Sequence, residues 1–228
     1  MFDRIAGRYD LLNRVISFRL DTLWRNLAIR TLLGADRPLI LDLGTGTGDL
    51  AFSAAKISHG KARVIGLDFS LPMIRLAQAK RAGAPHGAST AFIQASAMAV
   101  PLRQNIFDGA MTAFVLRNVT DLPRFFAEAH HVLKPGGKFV SLDMFPPPPG
   151  WFAKLYAIYF YSIMPWIGGL LGGDRQAYLY LSESVRQFHS PETVAKLIAQ
   201  AGFHDVAIRK FLRGAVCMHI AAKPSPPR

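Results

Sequence analysis

The sequence predicts an α/β fold: a doubly wound, mostly parallel sheet of seven strands, with an apolar helical lid inserted after the fifth. Three observations carry this reading. Short apolar runs alternate with segments whose apolar residues recur at helical spacing. A glycine-rich stretch, LDLGTGTGDLA, joins the first such run to the first helical pattern. The alternation is interrupted once, by FPPPPG and a long aromatic segment behind it. Strands alternating with helices imply parallel pairing with helices on both faces, because each return to the same edge needs a crossover.

The first strand is read at residues 39 to 43 (LILDL), followed by a helix over 48 to 58, a strand at 63 to 67, a helix over 71 to 82 and a strand at 91 to 94. FDGAMTAFVL, 107 to 116, is the fourth strand, LPRFFAEAHHVL the next helix, and KFVSLDM, 138 to 144, the fifth strand. KPGG at 134 to 137 punctuates the passage into that strand, since proline and glycine both end helices. Residues 151 to 171, WFAKLYAIYFYSIMPWIGGLL, are almost wholly apolar with Lys154 as the one charge. Their length approaches the roughly 20 residues a bilayer-spanning helix needs. Pro165, Gly168 and Gly169 interrupt the run, and its aromatics suit a lid over an apolar ligand or a membrane, with a buried core helix as the second reading, better than a lipid-bathed span. PETVAKLIAQAGF returns to helical spacing and closes at Gly202; the runs at 204 to 212 and 214 to 222 read as strands joined through Gly214. A hairpin there makes the last strand antiparallel, at or near the sheet edge. KPSPPR, 223 to 228, reads as a disordered tail.

With 228 residues, half of them hydrophobic, and no break in composition, one domain is expected over 1 to 228, with 145 to 190 as the lid insertion. The single cysteine, Cys217, excludes an intramolecular disulfide, and no Cys/His spacing matches a metal site, so a metal-free protein is expected. The start, MFDRIAGRYD, is charged and lacks the apolar core of a secretion signal, which points to the cytoplasm. A net charge of +12 suits an anionic membrane surface, nucleic acid or plain solubility. Scattered Lys and Arg, and the lack of any RNA-binding or helix-turn-helix signature, argue against nucleic acid.

LDLGTGTGDLA runs a strand into a glycine loop and then a helix start. Gly44, Gly46 and Gly48 let the backbone turn tightly and approach a ligand, and the helix start offers free N–H groups. Gly46, Gly48 and Ala51 also satisfy the dinucleotide pattern G-x-G-x-x-A, with Asp68 at a suitable distance for a ribose carboxylate. Two features favour S-adenosylmethionine instead. Asp42, two residues before the first glycine, opposes a pyrophosphate but suits a ligand carrying an ammonium and a sulfonium. FDGAMTAF and VLKPGG resemble later motifs of class I methyltransferases. Asp68 then accepts from the ribose hydroxyls, its other reading being a helix N-cap, a task open to Ser70 as well.

Five stretches together resemble the menaquinone and ubiquinone biosynthesis C-methyltransferases, class I enzymes of Rossmann-like fold that methylate a polyprenyl quinol ring: FDRIAGRYDLLN at 2 to 13, LDLGTGTGDLA, LRNVTD at 116 to 121, VLKPGG, and GDRQAYLYLSESVRQF at 173 to 188. The likeness covers nearly the whole chain. It implies that Asp42, Gly44, Gly46, Thr47, Asp68 and Phe69 bind the cofactor, with Ser96, Ala97 and Ala113 near it and Tyr9 closing over it. Relatives usually carry Asp or Asn at Ser96, Ser at Ala113 and Gly at Val115, so weaker cofactor binding and a narrower pocket are expected. Relatives also extend further ahead of the first motif, so a short amino-terminal cover is expected.

C-methylation of a hydroquinone needs a ring carbon made nucleophilic by loss of a phenolic proton. The resemblance therefore implies that Arg117, a permanent cation at the end of the fourth strand, stabilises the developing phenolate while Asn118 positions a ring oxygen. Tyr180 joins them as a catalytic candidate, and Tyr178 and Asp174 as substrate contacts, although Tyr178 and Tyr180 recur with a period of two, unlike a helix face. Demethylmenaquinol is the favoured acceptor and polyprenyl-methoxybenzoquinol the second. Another small aromatic or lipid acceptor, or a non-catalytic cofactor-binding role in a quinone-synthesis assembly, stays open, as does a homodimer. The expected partner surface is an anionic membrane, met peripherally from the cytoplasmic side.

Overall fold

The computed structural model describes residues 20 to 164 and 175 to 225. Seven strands form one sheet: β1 (Leu39–Leu43), β2 (Arg63–Asp68), β3 (Thr90–Gln94), β4 (Phe107–Ala113), β5 (Leu133–Met144), β6 (His204–Phe211) and β7 (Val216–Ala222), in the order β3-β2-β1-β4-β5-β7-β6. The pairs β1–β2, β2–β3, β1–β4 and β4–β5 are parallel, and β7 is antiparallel to both β5 and β6. The last strand therefore sits one place in from the edge, and β6 forms the edge. Strand order reverses between β1 and β4, which opens a crevice at their carboxyl ends, where open α/β sheets bind ligands.

The helices α1 (Leu20–Leu32), α2 (Asp49–Ile57) and α3 (Leu71–Arg81) share one face of the sheet. Trp24, Ile29 and Leu32 of α1 pack there with Ala51, Ala54 and Ile74 against Val64, Met111, Val140 and Met218. The other face carries α4 (Leu122–Val132) and α7 (Pro191–Gln200), where Phe125, Phe126 and Phe203 meet Phe139 and Ala110. Ala110 and Met111, or Phe139 and Val140, point to opposite faces because strand side chains alternate. The side chains of Phe125, Phe126 and Phe139 are fully buried, and truncating such a ring to alanine costs about 3–5 kcal/mol.

The helix starts follow local chemistry. Ser70, Asp121 and Ser190 each accept a backbone N–H from the first turn of α3, α4 and α7, and each of these helices carries proline in that first turn. Between β5 and α7 lie α5 (Trp151–Ala157), a π-helical continuation (Ile158–Ile163) and α6 (Arg175–Arg186). Among the described residues, no helix is long and apolar enough to cross a membrane.

Four boundaries depart from the sequence reading. β4 stops at Ala113 because Phe114 adopts φ 63°, and residues 116 to 118 form a 3₁₀ turn instead of more strand. KPGG belongs to β5, whose pairing with β4 shifts register between Phe107 and Gly109 while Gly136 takes φ 78°. Tyr178 and Tyr180 lie on α6, a helix despite their period of two. Lys223 does not begin a loose tail: its ammonium donates to Asn105 and to the His130 carbonyl, and its backbone pairs with Gly136 and Gly137.

Candidate active site

A cleft of about 340 Å³ opens where β1 and β4 diverge. Its floor is the glycine loop. Gly44 takes φ 74°, and a Cβ there would lie 2.6 Å from Val115, so only glycine lets Val115 pack on the loop. Gly46 takes φ 55° with nothing within 4 Å of where its Cβ would be, so that stretch of backbone faces open space.

Asp68, at the end of β2, accepts the Gly46 N–H at 2.9 Å through Oδ2 and the Ser70 N–H at 2.9 Å through Oδ1. Ser70 performs the cap, accepting the Met73 N–H at 3.4 Å. Asp68 thereby fixes the glycine loop, and it lines the cleft beside Phe69. Ser96, Ala97 and Met98 form the neighbouring wall, where the Ser96 hydroxyl accepts the Met98 N–H at 3.2 Å. Thr47 and Ala113 complete the predicted lining.

On the α1 side Asp42 is almost wholly buried and accepts the Thr45 hydroxyl at 2.6 Å. Burial raises its pKa from 3.8 to about 7, against the Thr45 hydrogen bond and the Arg25 charge, both of which lower it. Arg25, from α1, was not a sequence candidate, because nothing in its helix marks it as a ligand. Its guanidinium lies 5.1 Å from the Phe114 ring centre, and its Nε sits 3.6 Å from Asp21, buried without a hydrogen-bond partner among the described residues. Phe114, bulky and left-handed, is the local backbone outlier that presents its ring to this side.

Arg117 and Asn118 part company. Asn118 lines the cleft and accepts the Tyr180 hydroxyl at 3.1 Å. The Arg117 side chain turns inward to Asp143 at the end of β5, Nη1 to Oδ1 2.6 Å, with 5% of it exposed and none of Asp143. Asp143 also accepts the Leu116 N–H at 2.8 Å and the Met144 N–H at 2.8 Å. Arg117 borders a second depression of about 320 Å³, beside Phe188, His189 and Leu197, and does not line the first. The expectation that its guanidinium faces the cleft is thus corrected: a fully buried carboxylate demands a cation, and Arg117 supplies it. Asp143 was missed because it reads as one polar residue within the apolar run KFVSLDM. Tyr9 and Asp174, and the side chain of Tyr178, lie outside the described residues. Among those described, no cluster of three or more metal-ligating side chains occurs.

The model of the ubiE/COQ5 methyltransferase family matches residues 1–223. The chain belongs to the ubiE/COQ5 methyltransferase family. Within this family it is 42% identical to the demethylmenaquinone methyltransferase of Thermus thermophilus, over 98% of this chain and 100% of that one. It is 37% identical to the ubiquinone/menaquinone biosynthesis C-methyltransferase UbiE of Geobacter sulfurreducens, over 98% and 87%. An S-adenosylmethionine-dependent methyltransferase from Thermotoga maritima superposes with a TM-score of 0.65 at 19% identity, covering 97% of each chain, a likeness of fold. The chain is therefore an S-adenosylmethionine-dependent C-methyltransferase with the family's sheet. Against the family pattern stated above, Val115 narrows the cleft over Gly44, and the Ser96 oxygen already accepts the Met98 N–H, which leaves its O–H to donate.

Proposed function

We propose that the enzyme methylates a ring carbon of a prenylated quinol, demethylmenaquinol first and polyprenyl-methoxybenzoquinol second. The observation that carries the reading is the polarity of the cleft. Asp68 stands with Ser96 and Ala97 for a ribose and an adenine; a buried carboxylate, Asp42, and a half-buried guanidinium, Arg25, line the same cleft. A cation and an anion side by side suit the amino-acid end of S-adenosylmethionine, Arg25 toward its carboxylate and Asp42 toward its positive charge. When bound, that cofactor supplies a methyl group on a positively charged sulfur. The names of the two relatives support the choice of acceptor.

The acceptor side is assigned to Asn118 and Tyr180. Because the Asn118 carbonyl oxygen accepts from Tyr180, its amide N–H groups remain to donate to a ring oxygen, where negative charge grows as the ring carbon becomes nucleophilic. Arg117 acts through position: with Asp143 it clamps the 116 to 118 turn and so aims Asn118. Tyr180 brings α6 to the acceptor side, and contact with an anionic membrane supplies the acceptor.

The test is transfer of labelled methyl from S-adenosylmethionine to reduced demethylmenaquinone and reduced methoxy-prenylbenzoquinone in detergent, with Asn118→Ala, Arg117→Lys and Arg117→Ala alongside. Transfer that falls 100-fold or more in Asn118→Ala, and is partly restored from Arg117→Ala by Arg117→Lys, supports the assignment. Cofactor binding without transfer to either quinol would overturn the acceptor and leave the donor side standing.

A further inference from the structure

The helical rod from 151 to 164 is apolar on both of its faces, unlike a solvated helix. Its inner face is aromatic: Phe152, Tyr156 and Phe160 stack with ring centres 6.2 and 4.9 Å apart, and Phe160 and Met164 bury against Val185. Its outer face is also apolar. Trp151, Leu155 and Ile158 fall on one stripe by helical spacing and are 61%, 57% and 57% exposed. A surface helix normally turns polar groups outward along that stripe.

The turn between β6 and β7 extends the stripe. Leu212, exposed, and Arg213 both take left-handed backbone, φ 44° and 53°, an unfavourable conformation for a bulky residue such as leucine. The Arg213 guanidinium lies 4.7 Å from the Trp151 ring centre, joining turn and helix into one surface. Because β5 and β6 run in the same direction, this surface stands at the carboxyl edge of the sheet, the edge that carries the cleft. The two segments that form it carry charges of one sign. Residues 145 to 164 and 206 to 225 contain no Asp or Glu. Lys154, Arg209 and Arg213 have no carboxylate partner among the described residues, whereas Lys210 is paired with Glu192.

We propose that Trp151, Leu155, Ile158 and Leu212, ringed by Lys154, Arg209 and Arg213, form the face that docks on an anionic phospholipid bilayer. Tryptophan and aliphatic side chains enter the headgroup boundary while the surrounding cations meet lipid phosphates, the composition that interfacial helices share. Docking this edge on the bilayer turns the cleft toward lipid. The proposal deepens the prenylated-quinol reading and rests on it for its purpose, but lipid binding is measured without any acceptor.

Full-length protein is floated with phosphatidylcholine vesicles, with and without phosphatidylglycerol, at low and high salt. Three proteins are compared: wild type, the charge variant Lys154→Gln/Arg209→Gln/Arg213→Gln, and the apolar variant Leu155→Ser/Ile158→Ser. All five changed side chains are exposed, so the fold is retained. Wild type is expected to bind the anionic vesicles and to be released by salt; the charge variant loses about fivefold per cation, on the order of 100-fold in all. The apolar variant binds weakly to both vesicle types. Each variant keeps wild-type turnover on a water-soluble short-chain quinol and loses it on a long-chain quinol embedded in vesicles. Wild type that ignores anionic vesicles, or variants that bind as wild type does, would overturn the proposal. So would a wild-type dimer that dissociates in the apolar variant, because a second copy would then occupy this face. Vesicle binding with no turnover on soluble quinol would instead sink the acceptor reading and leave the docking face intact.

Discussion

Replacing Asp42 by asparagine should stabilise the cofactor-free enzyme and weaken its grip on the cofactor. The carboxyl group is 1% exposed, and burial lifts its pKa from 3.8 to about 7. Between roughly pH 4 and 7 the folded state therefore holds one proton more than the unfolded state, so the free energy of unfolding falls as pH rises through that window. Above pH 7 both states are ionised and the cost is complete. Roughly three pH units, at about 1.4 kcal/mol each, set an upper bound of about 4 kcal/mol. Asparagine keeps the shape and can still accept the Thr45 hydroxyl, but its amide N–H2 needs a new partner, so the expected gain is about 2 kcal/mol at pH 8 and near zero at pH 4.5. For a chain of this size that is a rise in Tm of about 4–8 °C. Unfolding of apo protein by heat and urea across pH 4.5 to 8.5 reads it directly. Calorimetric titration should show wild-type affinity for S-adenosylmethionine rising between pH 6 and 8, and a weaker, pH-independent affinity in the variant. A variant less stable than wild type at pH 8, or a stability difference that does not change with pH, would refute the reasoning.

Arg25→Gln should weaken S-adenosylhomocysteine binding by tenfold or more while leaving 5′-methylthioadenosine, which lacks the amino-acid end, within twofold. Equal losses for both ligands in calorimetry would mean that Arg25 shapes the cleft through Phe114 instead. Asp143→Ala strands the Arg117 charge in a site where 5% of that side chain is exposed, and should cost about 3–5 kcal/mol by urea unfolding; a loss below 1 kcal/mol would show that the pair does not hold the turn. Tyr180→Phe removes the hydroxyl that orients Asn118, so kcat should fall about tenfold with cofactor affinity unchanged; a rise in cofactor Kd would place Tyr180 on the donor side.

The parts of this molecule visible in the sequence are those whose causes are local. The glycine loop was legible because Gly44 and Gly46 need left-handed backbone, and the first strands because their apolar runs are bounded by helical spacing. Ser70 was legible as the cap of α3, since that task is settled within three residues. What depends on distant partners was hidden. The fourth strand was read three residues too long because an apolar run gives no sign that Phe114 will turn left-handed. Arg117 was read as facing the cleft because its partner lies 26 residues away on another strand. Arg25 was invisible because α1 has no motif and its importance arises only where the helix crosses the end of β4 beside Phe114. The period of two in Tyr178 and Tyr180 misled because two residues set no period on their own: the whole segment Arg175–Arg186 is helical.

Every described residue lining the cleft, from Arg25 to Thr120, precedes the fifth strand in the chain. Tyr180 and the apolar rod, which are assigned here to the acceptor and the bilayer, follow it. The enzyme is thus written as two consecutive paragraphs, the first holding the cleft together with Asn118, the second adding Tyr180 and the rod, and they meet where the Tyr180 hydroxyl reaches Asn118 beside the Arg117–Asp143 clamp. A lineage can rewrite the second paragraph to address a new ring or tail without editing the first, provided the clamp survives. Chimeras joined just after Met144 are accordingly the natural unit of exchange for redirecting this methyl transfer.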